Sequence, residues 1–295
     1  MNVLVTGGAG FLGSHVADAL SEAGHRVVVF DRHPSPYLRR GQIGVTGDVL
    51  DEAALLSAAR DCEALYHFAA VADIGETMKS PPHAIEVNVM GTVTALEVAR
   101  KLGFRRFVLA SSIYVYSNSG SFYRTSKLAC ERLVEDYREC FGLPFTILRF
   151  GSLYGPRADL SNTIHRLIWQ ALHEGRIEYE GTGSEVREYI HVLDGAAAAA
   201  EILGEEFENE IVHITGHEKM TSRAMIDMIN EIAGRKLEVR LVADTTPGHY
   251  SQTPYNYNPR LGRKLIRKTF IDFGLGLLDL FQEIDHARAA REGTG

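Results

Sequence analysis

Residues 2 to 31 restrict the fold more than any other stretch of the chain. Asn2 to Thr6 is a short apolar run that breaks into Gly7-Gly-Ala-Gly10-Phe-Leu-Gly13. Apolar residues then recur at Leu12, Val16, Ala19, Leu20 and Ala23, the spacing of one helix face, and Gly24 follows as a stop. Arg26 to Phe30 is again apolar and ends in Asp31. Strand, glycine turn, helix, strand and acid in this order make a βαβ unit. Parallel strands joined in this way belong to a sheet covered by helices on both faces.

The same unit is the context of a dinucleotide fingerprint. Its glycines stand at 7, 10 and 13, a GxxGxxG spacing rather than the commoner GxGxxG. Small residues let backbone N–H groups approach a pyrophosphate at a helix N-terminus. Asp31 can accept hydrogen bonds from an adenosine ribose, and its charge would repel a 2′-phosphate, so NAD is expected over NADP. Arg32 beside it weakens that preference. The alternative is a set of purely structural glycines in a tight turn.

The pattern continues down the chain. Pro34 to Gly44 reads as a loop and Asp51 to Arg60 as a helix; between them Gly47-Asp48-Val49 follows a short strand. Asp48 either contacts the adenine or caps the following helix. Ala64 to Phe68 is a third strand running into Ala69-Ala70, whose small side chains let a cofactor lie against the backbone. Pro82 to Leu102 reads as one long helix with Asn88 inside it. That asparagine is either on a solvated face or pointed at the strand ends. Arg106 to Ala110 is the next strand, delivering Ser111-Ser112. Ligands of an open parallel sheet sit at the carboxyl ends of its strands, so Gly7, Asp31, Ala69 and Ser112 share one crevice.

Tyr123-Arg-Thr-Ser-Lys127 begins the helix that follows. Residues four apart lie on one helix face. A lysine ammonium one turn from a phenol favours the phenolate, and a nearby serine can hold the oxygen whose proton is moved. The three groups suit proton exchange with a secondary alcohol. A YxxxK alone also describes a solvent-facing pair; the crevice beside it favours the chemical reading.

Composition excludes several classes. The 295 residues are 45% apolar and 23% charged, with net charge -7 and a pI of about 6.0. Such a chain buries a core without staples and offers nucleic acid no basic surface. No apolar run approaches the ~20 residues of a membrane span. Cys62, Cys130 and Cys140 form neither CxxC nor metal spacing, and the twelve histidines show no HExxH. No metal site is expected. The chain opens directly on a strand, so a cytoplasmic protein with reduced thiols is expected.

These residues resemble the extended short-chain dehydrogenase/reductase superfamily, and within it the NAD-dependent nucleotide-sugar epimerases and dehydratases. The match runs through Thr6 to Ser14, Asp31, Gly47-Asp-Val49, His67-Phe-Ala-Ala70, Asn88-Val-Met-Gly-Thr92, Ser111-Ser-Ile-Tyr-Val-Tyr116, Tyr123-x3-Lys127, Leu148-Arg149, Leu153-Tyr-Gly-Pro156 and Gly183 to Val192. It implies an α/β, Rossmann-type doubly wound parallel sheet with a smaller C-terminal substrate-binding subdomain. Residues 1–150 would form the NAD domain, with a return over about 191–215; 151–190 and 216–295 would form the subdomain. Ser112, Tyr123 and Lys127 would be catalytic. The NAD site would draw on Gly7, Gly10, Phe11, Leu12, Gly13, Asp31, Arg32, Asp48, Val49, Phe68, Ala69, Ala70, Asn88, Ser111, Tyr123 and Lys127. A nucleotide-sugar substrate would meet Ser112, Ser152 and Arg187, the last a guanidinium fork for the diphosphate; a salt bridge to Glu185 or Glu188 is the plainer role for Arg187. Tyr255 or Arg260 in Thr253-Pro-Tyr-Asn-Tyr-Asn-Pro-Arg260 would reach the nucleotide or sugar, unless this is only a solvated stretch. Family members commonly form homodimers through two helices of each subunit, and Leu128, Leu133 and Val134 permit that here.

Four departures sharpen the expectation. Only six residues separate Tyr116 from Tyr123, where relatives carry a longer covering loop. The 4,6-dehydratases carry an Asp-Glu pair after the serine; Ile113 and Tyr114 stand here, and neither can supply that acid/base pair. Ser152 replaces a frequent asparagine, and Thr246 a frequent arginine before Pro247-Gly248. The expected activity is therefore C4 epimerisation of a nucleotide hexose through a transient 4-ketone. Net oxidation or reduction of a nucleotide keto-sugar is the competing enzyme reading, separable by net absorbance change of the nicotinamide. A non-catalytic dinucleotide sensor is the competing reading of another class; sensors often lose the tyrosine or lysine, and this chain keeps both.

Overall fold

The computed structural model describes residues 1–234, 236–242, 263–265 and 268–292. The opening unit forms as the pattern requires: β1 (Asn2–Thr6), α1 (Phe11–Glu22) and β2 (Arg26–Asp31). It is followed by β3 (Ile43–Thr46), α2 (Glu52–Ala59), β4 (Ala64–His67), α3 (Ile74–Lys79), α4 (Pro81–Ile85), α5 (Gly91–Lys101) and β5 (Arg106–Ser112). Then come α6 (Ser121–Phe141), β6 (Phe145–Phe150), β7 (Ser152–Tyr154), α7 (Thr163–His173), β8 (Arg176–Glu180) and β9 (Val186–His191). The remainder is α8 (Val192–Glu201), β10 (Glu210–Ile214), β11 (Lys219–Thr221), α9 (Ser222–Ile232), β12 (Glu238–Val242), β13 (Arg263–Lys264) and α10 (Phe273–Glu292).

An eight-stranded sheet runs in the order β13-β10-β6-β5-β4-β1-β2-β3. Every pairing in it is parallel. The chain winds one way from β1 to β3 and the other way from β4 outward, so the switch point falls between β1 and β4. Helices cover both faces. Val3 and Val5 of β1 pack with Val16 and Leu20 of α1 and Ala199 of α8. Leu4, between them, packs on the other face with Leu96 of α5 and Val134 of α6. Burial on both faces explains why all seven residues of β5 are buried. This is the doubly wound Rossmann-type fold.

A three-stranded sheet, β11-β9-β7, and a two-stranded one, β12-β8, lie beyond β6. With α7, α9 and α10 they enclose a separate core of Leu167, Ile168, Ile177, Met225, Ile229 and Leu277. One correction concerns the span 216–295: β13 pairs with β10 at the edge of the large sheet, so that span does not lie wholly in the smaller unit. An edge strand leaves backbone donors and acceptors that a passing segment can satisfy.

Three local expectations also change. The stretch 82–102 is not one regular helix: α4 and α5 are separated by a π-helical turn, Glu86–Met90. Asn88 lies in that turn and is 1% exposed, not on a solvated face. The cap of α2 is Asp51, which accepts from Ala54 N, while Asp48 accepts from Leu50 N. Val134, read as part of an outer face, is 1% exposed and belongs to the core.

Candidate active site

A cleft of about 700 Å³ opens along the carboxyl ends of β1, β2, β4 and β5. Its walls include Gly7, Gly10, Phe11, Leu12, Gly13, Asp31, Arg32, Asp48, Val49, Phe68, Ala69, Ala70, Ser111, Ser112, Tyr123 and Lys127. The sheet's switch point sits in the middle of that wall. There Gly7 has φ +69°, and a Cβ on it would stand 2.6 Å from Ala69 N. A Cβ on Gly13 would stand 2.2 Å from Gly7 O, a backbone atom that cannot move aside. Gly10 caps α1 with no side-chain hydrogen bond, so the first N–H groups of α1 keep their bonding capacity for an anion in the cleft.

Asp31 is fixed by two backbone donors, Ala9 N to Oδ2 at 3.0 Å and His33 N to Oδ1 at 3.1 Å. Each carboxylate oxygen still has a lone pair for a ribose hydroxyl. Beneath the turn, Thr6 Oγ1 contacts His67 Nδ1 at 2.8 Å, and His67 Nε2 contacts Thr92 Oγ1 at 3.1 Å. Burial holds His67 neutral, at about 3, with Lys127 adding to the effect.

The catalytic candidates meet at the other end of the cleft. The tight turn before α6 has two successive positive φ angles, Gly120 at 103° and Ser121 at 46°. A side chain at 120 would meet the Tyr114 ring at 2.7 Å, and that ring in turn stands edge-on to Tyr123, centroids 6.2 Å apart. The short loop thus packs Tyr114 against the side of Tyr123. Ser112 Oγ accepts from Tyr114 N at 3.3 Å, which leaves its own proton to be directed at a substrate oxygen. Lys127 is 4% exposed and donates to Ala110 O at 2.8 Å. Its ammonium lies 5.9 Å from the centre of the Tyr123 ring. The solvent-facing alternative for the pair is excluded by that burial. Burial lowers the Lys127 ammonium from its ordinary range, opposed by Cys130 and Glu131.

Other expected residues lie elsewhere. Asn88 is not in the cleft wall. Its side chain accepts from Val71 N at 2.7 Å and donates to Val71 O at 3.0 Å and Ser126 Oγ at 2.9 Å. It therefore pins the chain after β4 to α6, since a buried amide finds its partners among unpaired backbone groups. Ser111 lines the cleft, but its hydroxyl donates to Glu131 Oε1 at 2.5 Å. Ser152 and Arg187 stand on β7 and β9 and are not among the described walls of the cleft. Arg187 is 8% exposed; Glu188 pairs with Lys264 at 3.5 Å and Glu185 accepts from Thr182 N at 2.7 Å. Tyr255, Arg260 and Thr246 lie outside the described residues. Sequence reasoning missed Val71, Glu76, His83 and Asp159, which the cleft also presents; the turn after Ala70 carried a signal for Val71, and nothing in the spacing pointed to Asp159.

A glycine cradle at a helix N-terminus, an anchored carboxylate and the buried Ser112 and Lys127 beside a half-buried Tyr123 suit a dinucleotide-dependent enzyme. Residues 3–215 match the NAD dependent epimerase/dehydratase family, and the chain belongs to that family. It is 31% identical over 276 residues to a UDP-glucose 4-epimerase of Rhizobium meliloti, covering 81% of this chain and 84% of that one. It is 28% identical over 264 residues to a dTDP-glucose 4,6-dehydratase of Streptomyces antibioticus, covering 79% and 78%. Its fold superposes on a Thermus thermophilus UDP-glucose 4-epimerase in complex with NAD with a TM-score of 0.84 and 25% identity, over 97% of this chain and all of that one. NAD is the cofactor, and the cradle, the open helix N-terminus and Asp31 fit it. Among the described residues no cluster suits a metal ion, and no helix is long and apolar enough to cross a membrane.

Proposed function

We propose that the protein epimerises a nucleotide hexose at C4 through a transient 4-ketone. NAD, when bound, supplies the acceptor that takes the C4 hydride and returns it to the other face of the ketone, with no net redox change. Gly7 and Gly10, whose own N–H groups are bonded to Phe30 O and Gly7 O, shape the turn; Phe11, Leu12 and Gly13 at the start of α1 hold the pyrophosphate with backbone N–H groups, and Asp31 takes the adenosine ribose. Tyr123, as phenolate, removes the C4 hydroxyl proton and later gives it back. Ser112 donates to the same substrate oxygen and keeps it within reach. Lys127 favours the phenolate by its charge, and two of its three N–H groups remain for the nicotinamide ribose beside Ala110 O. Residues 151–190 and much of 216–295 hold the nucleotide, with Arg187 on the diphosphate. The working form is a homodimer, for which exposed Met90 and Phe141 supply apolar surface.

One observation carries epimerisation over 4,6-elimination. Elimination needs an acid and a base beside the sugar, in the two positions after Ser112. Ile113 is 1% exposed and in the core, and Tyr114 is packed on Tyr123. Neither is a carboxyl group, so after C4 oxidation the least demanding outcome is return of the hydride.

The test is a Tyr123→Phe variant assayed with UDP-glucose, with products separated by chromatography. Wild type should yield the C4 epimer with no net change at the reduced-nicotinamide band. The variant should keep its NAD and lose about 10³-fold in turnover. Substantial residual activity, or a 4-keto-6-deoxy product from the wild type, sinks the assignment.

A further inference from the structure

We propose that Glu131 is a positioning residue of this active site: through a buried link to Arg149 it fixes the segment carrying Ser112 and sets the surroundings of Lys127. The inference rests on the roles given above to Ser112, Tyr123 and Lys127.

Tyr123, Lys127 and Glu131 follow one another at every fourth position of α6, so they form one ridge facing the sheet. Tyr123 and Lys127 reach the cleft; Glu131 is 4% exposed and stops behind them. Arg149 grips it with both prongs, Nε to Oε1 at 2.9 Å and NH2 to Oε2 at 2.6 Å. Arg149 is itself 1% exposed, next to the carboxyl end of the wholly buried strand β6. Ser111, which also donates to Glu131 Oε1, is the register partner of Arg149 across the β5–β6 pair. One carboxylate therefore ties α6 to two adjacent strands at a single level, directly below Ser112.

The link continues beyond Ser112. Arg149 NH1 donates to the Tyr116 phenol oxygen, and that same Oη contacts His213 Nε2 at 2.8 Å. A guanidinium only donates, so the Tyr116 phenol oxygen accepts from Arg149. Burial first, then Arg149, holds His213 neutral at about 4, so its Nε2 can accept. The turn Ile113–Tyr116 is thus held at both ends, Ser111 on Glu131 and Tyr116 on Arg149. That turn follows Ser112 and bears Tyr114, the ring packed on Tyr123.

Stability does not account for such a pair. A buried ion pair is often matched or exceeded by apolar residues of similar volume. What apolar residues could not do is hold a hydroxyl and a phenol in register with two strands. Nor could they place a negative charge one turn from Lys127. The ionisable groups around Lys127 are Tyr123, Cys130 and Glu131 of α6 and His67 of β4. Those around Glu131 are Lys127, Cys130 and Arg149.

The experiment compares Glu131→Gln, Glu131→Asp and Tyr123→Phe, each carrying NAD, with UDP-glucose as substrate. Glu131→Gln should lose about 10- to 100-fold in kcat, with KM and bound NAD changed less than about twofold. The alkaline limb of its kcat profile should move to lower pH, because the carboxylate that favours the Lys127 ammonium is gone. Glu131→Asp should bring that limb back toward the wild-type position. A kcat within about twofold of wild type overturns the proposal. So does a lowered kcat with an unmoved alkaline limb, or a limb that Asp fails to restore. If Glu131→Gln does not fold, the double change Glu131→Gln, Arg149→Met leaves no unpaired buried charge. That variant, folded and with low kcat, supports the proposal. Wild-type kcat overturns it, and so does failure to fold, which would make the pair a folding element. Activity surviving in Tyr123→Phe is a separate result, and it removes the catalytic assignment instead.

Discussion

The two halves of the molecule are built on different terms. The cofactor half, β1 to β5, is a parallel sheet whose strand ends are tied by short backbone contacts. Gly7 N donates to Phe30 O at 2.9 Å, Phe68 N to Thr6 O at 3.0 Å and Gly47 N to Asp31 O at 2.9 Å. The smaller unit, drawn from the chain after β6 apart from α8, β10 and β13, has short strands in two small sheets, β11-β9-β7 and β12-β8, around its own core. The first half places each group by backbone geometry, which tolerates little change. The second places Ser152 and Arg187 by side chains on small sheets, outside the described cleft wall. The cofactor end should therefore be rigid and general, and the substrate end adjustable and specific.

The strongest way to break that contrast is Gly13→Ala. Its methyl would press on Gly7 O, and overpacking of this kind costs about 1–3 kcal/mol. The expected result is loss of bound NAD together with a lower melting temperature, read from the purified protein's absorbance ratio and a thermal scan. Tight NAD binding in that variant would show that the cradle yields.

Acid titration tests the histidines buried in the fold. His67 is held at about 3, and His15 and His213 at about 4, burial being the main cause in each. The unfolded chain takes up protons below about 6.5, which the native protein refuses until about 4 or lower. Their contribution is therefore complete above about 6.5 and is lost as pH falls toward 4, at about 1.4 kcal/mol per pH unit for each histidine. Denaturant titrations at a series of pH values would measure the slope. Stability that stays flat from pH 6.5 to 5 would contradict the burial argument.

Arg187→Ala separates the halves functionally. Loss of charge-assisted bonds to a diphosphate costs about 1.5–3 kcal/mol, so KM for the nucleotide sugar should rise about 10- to 100-fold. Bound NAD should not change. The smallest effect is expected for Asp31→Asn, which removes the repulsion of a 2′-phosphate. The ratio of NAD to NADP affinity, measured by fluorescence titration of apoprotein, should fall by about tenfold.

Much of the cofactor half was legible in the sequence because its signals are local. Asn2–Thr6, the glycine turn, α1 and β2 follow from periodicity and stop residues within thirty positions. The Tyr123–Lys127 pair follows from helix spacing. The stretch through Asn88 reads as one helix because α4 and α5 are each helical and the π-helical turn between them only inserts an extra residue, with no glycine or proline within it to mark the break. In that turn the Asn88 amide bonds to Val71, seventeen residues away. Arg149 in the apolar run Phe145–Phe150, and Glu131 one turn past Lys127, were visible signs of a buried charge pair. The pairing itself was not visible.

By itself the sequence determined the βαβ order, the cofactor cradle and the residues able to exchange a proton with an alcohol. Each of these depends on spacing along a single element or turn. The tertiary structure alone decided that Asn88 braces the backbone rather than lining the cleft, that β13 returns to the large sheet, and that Glu131 joins Ser111 and Arg149. A buried polar group must find its partner wherever packing brings one within about 3 Å. That choice belongs to the arrangement of elements, and no spacing along the chain encodes it.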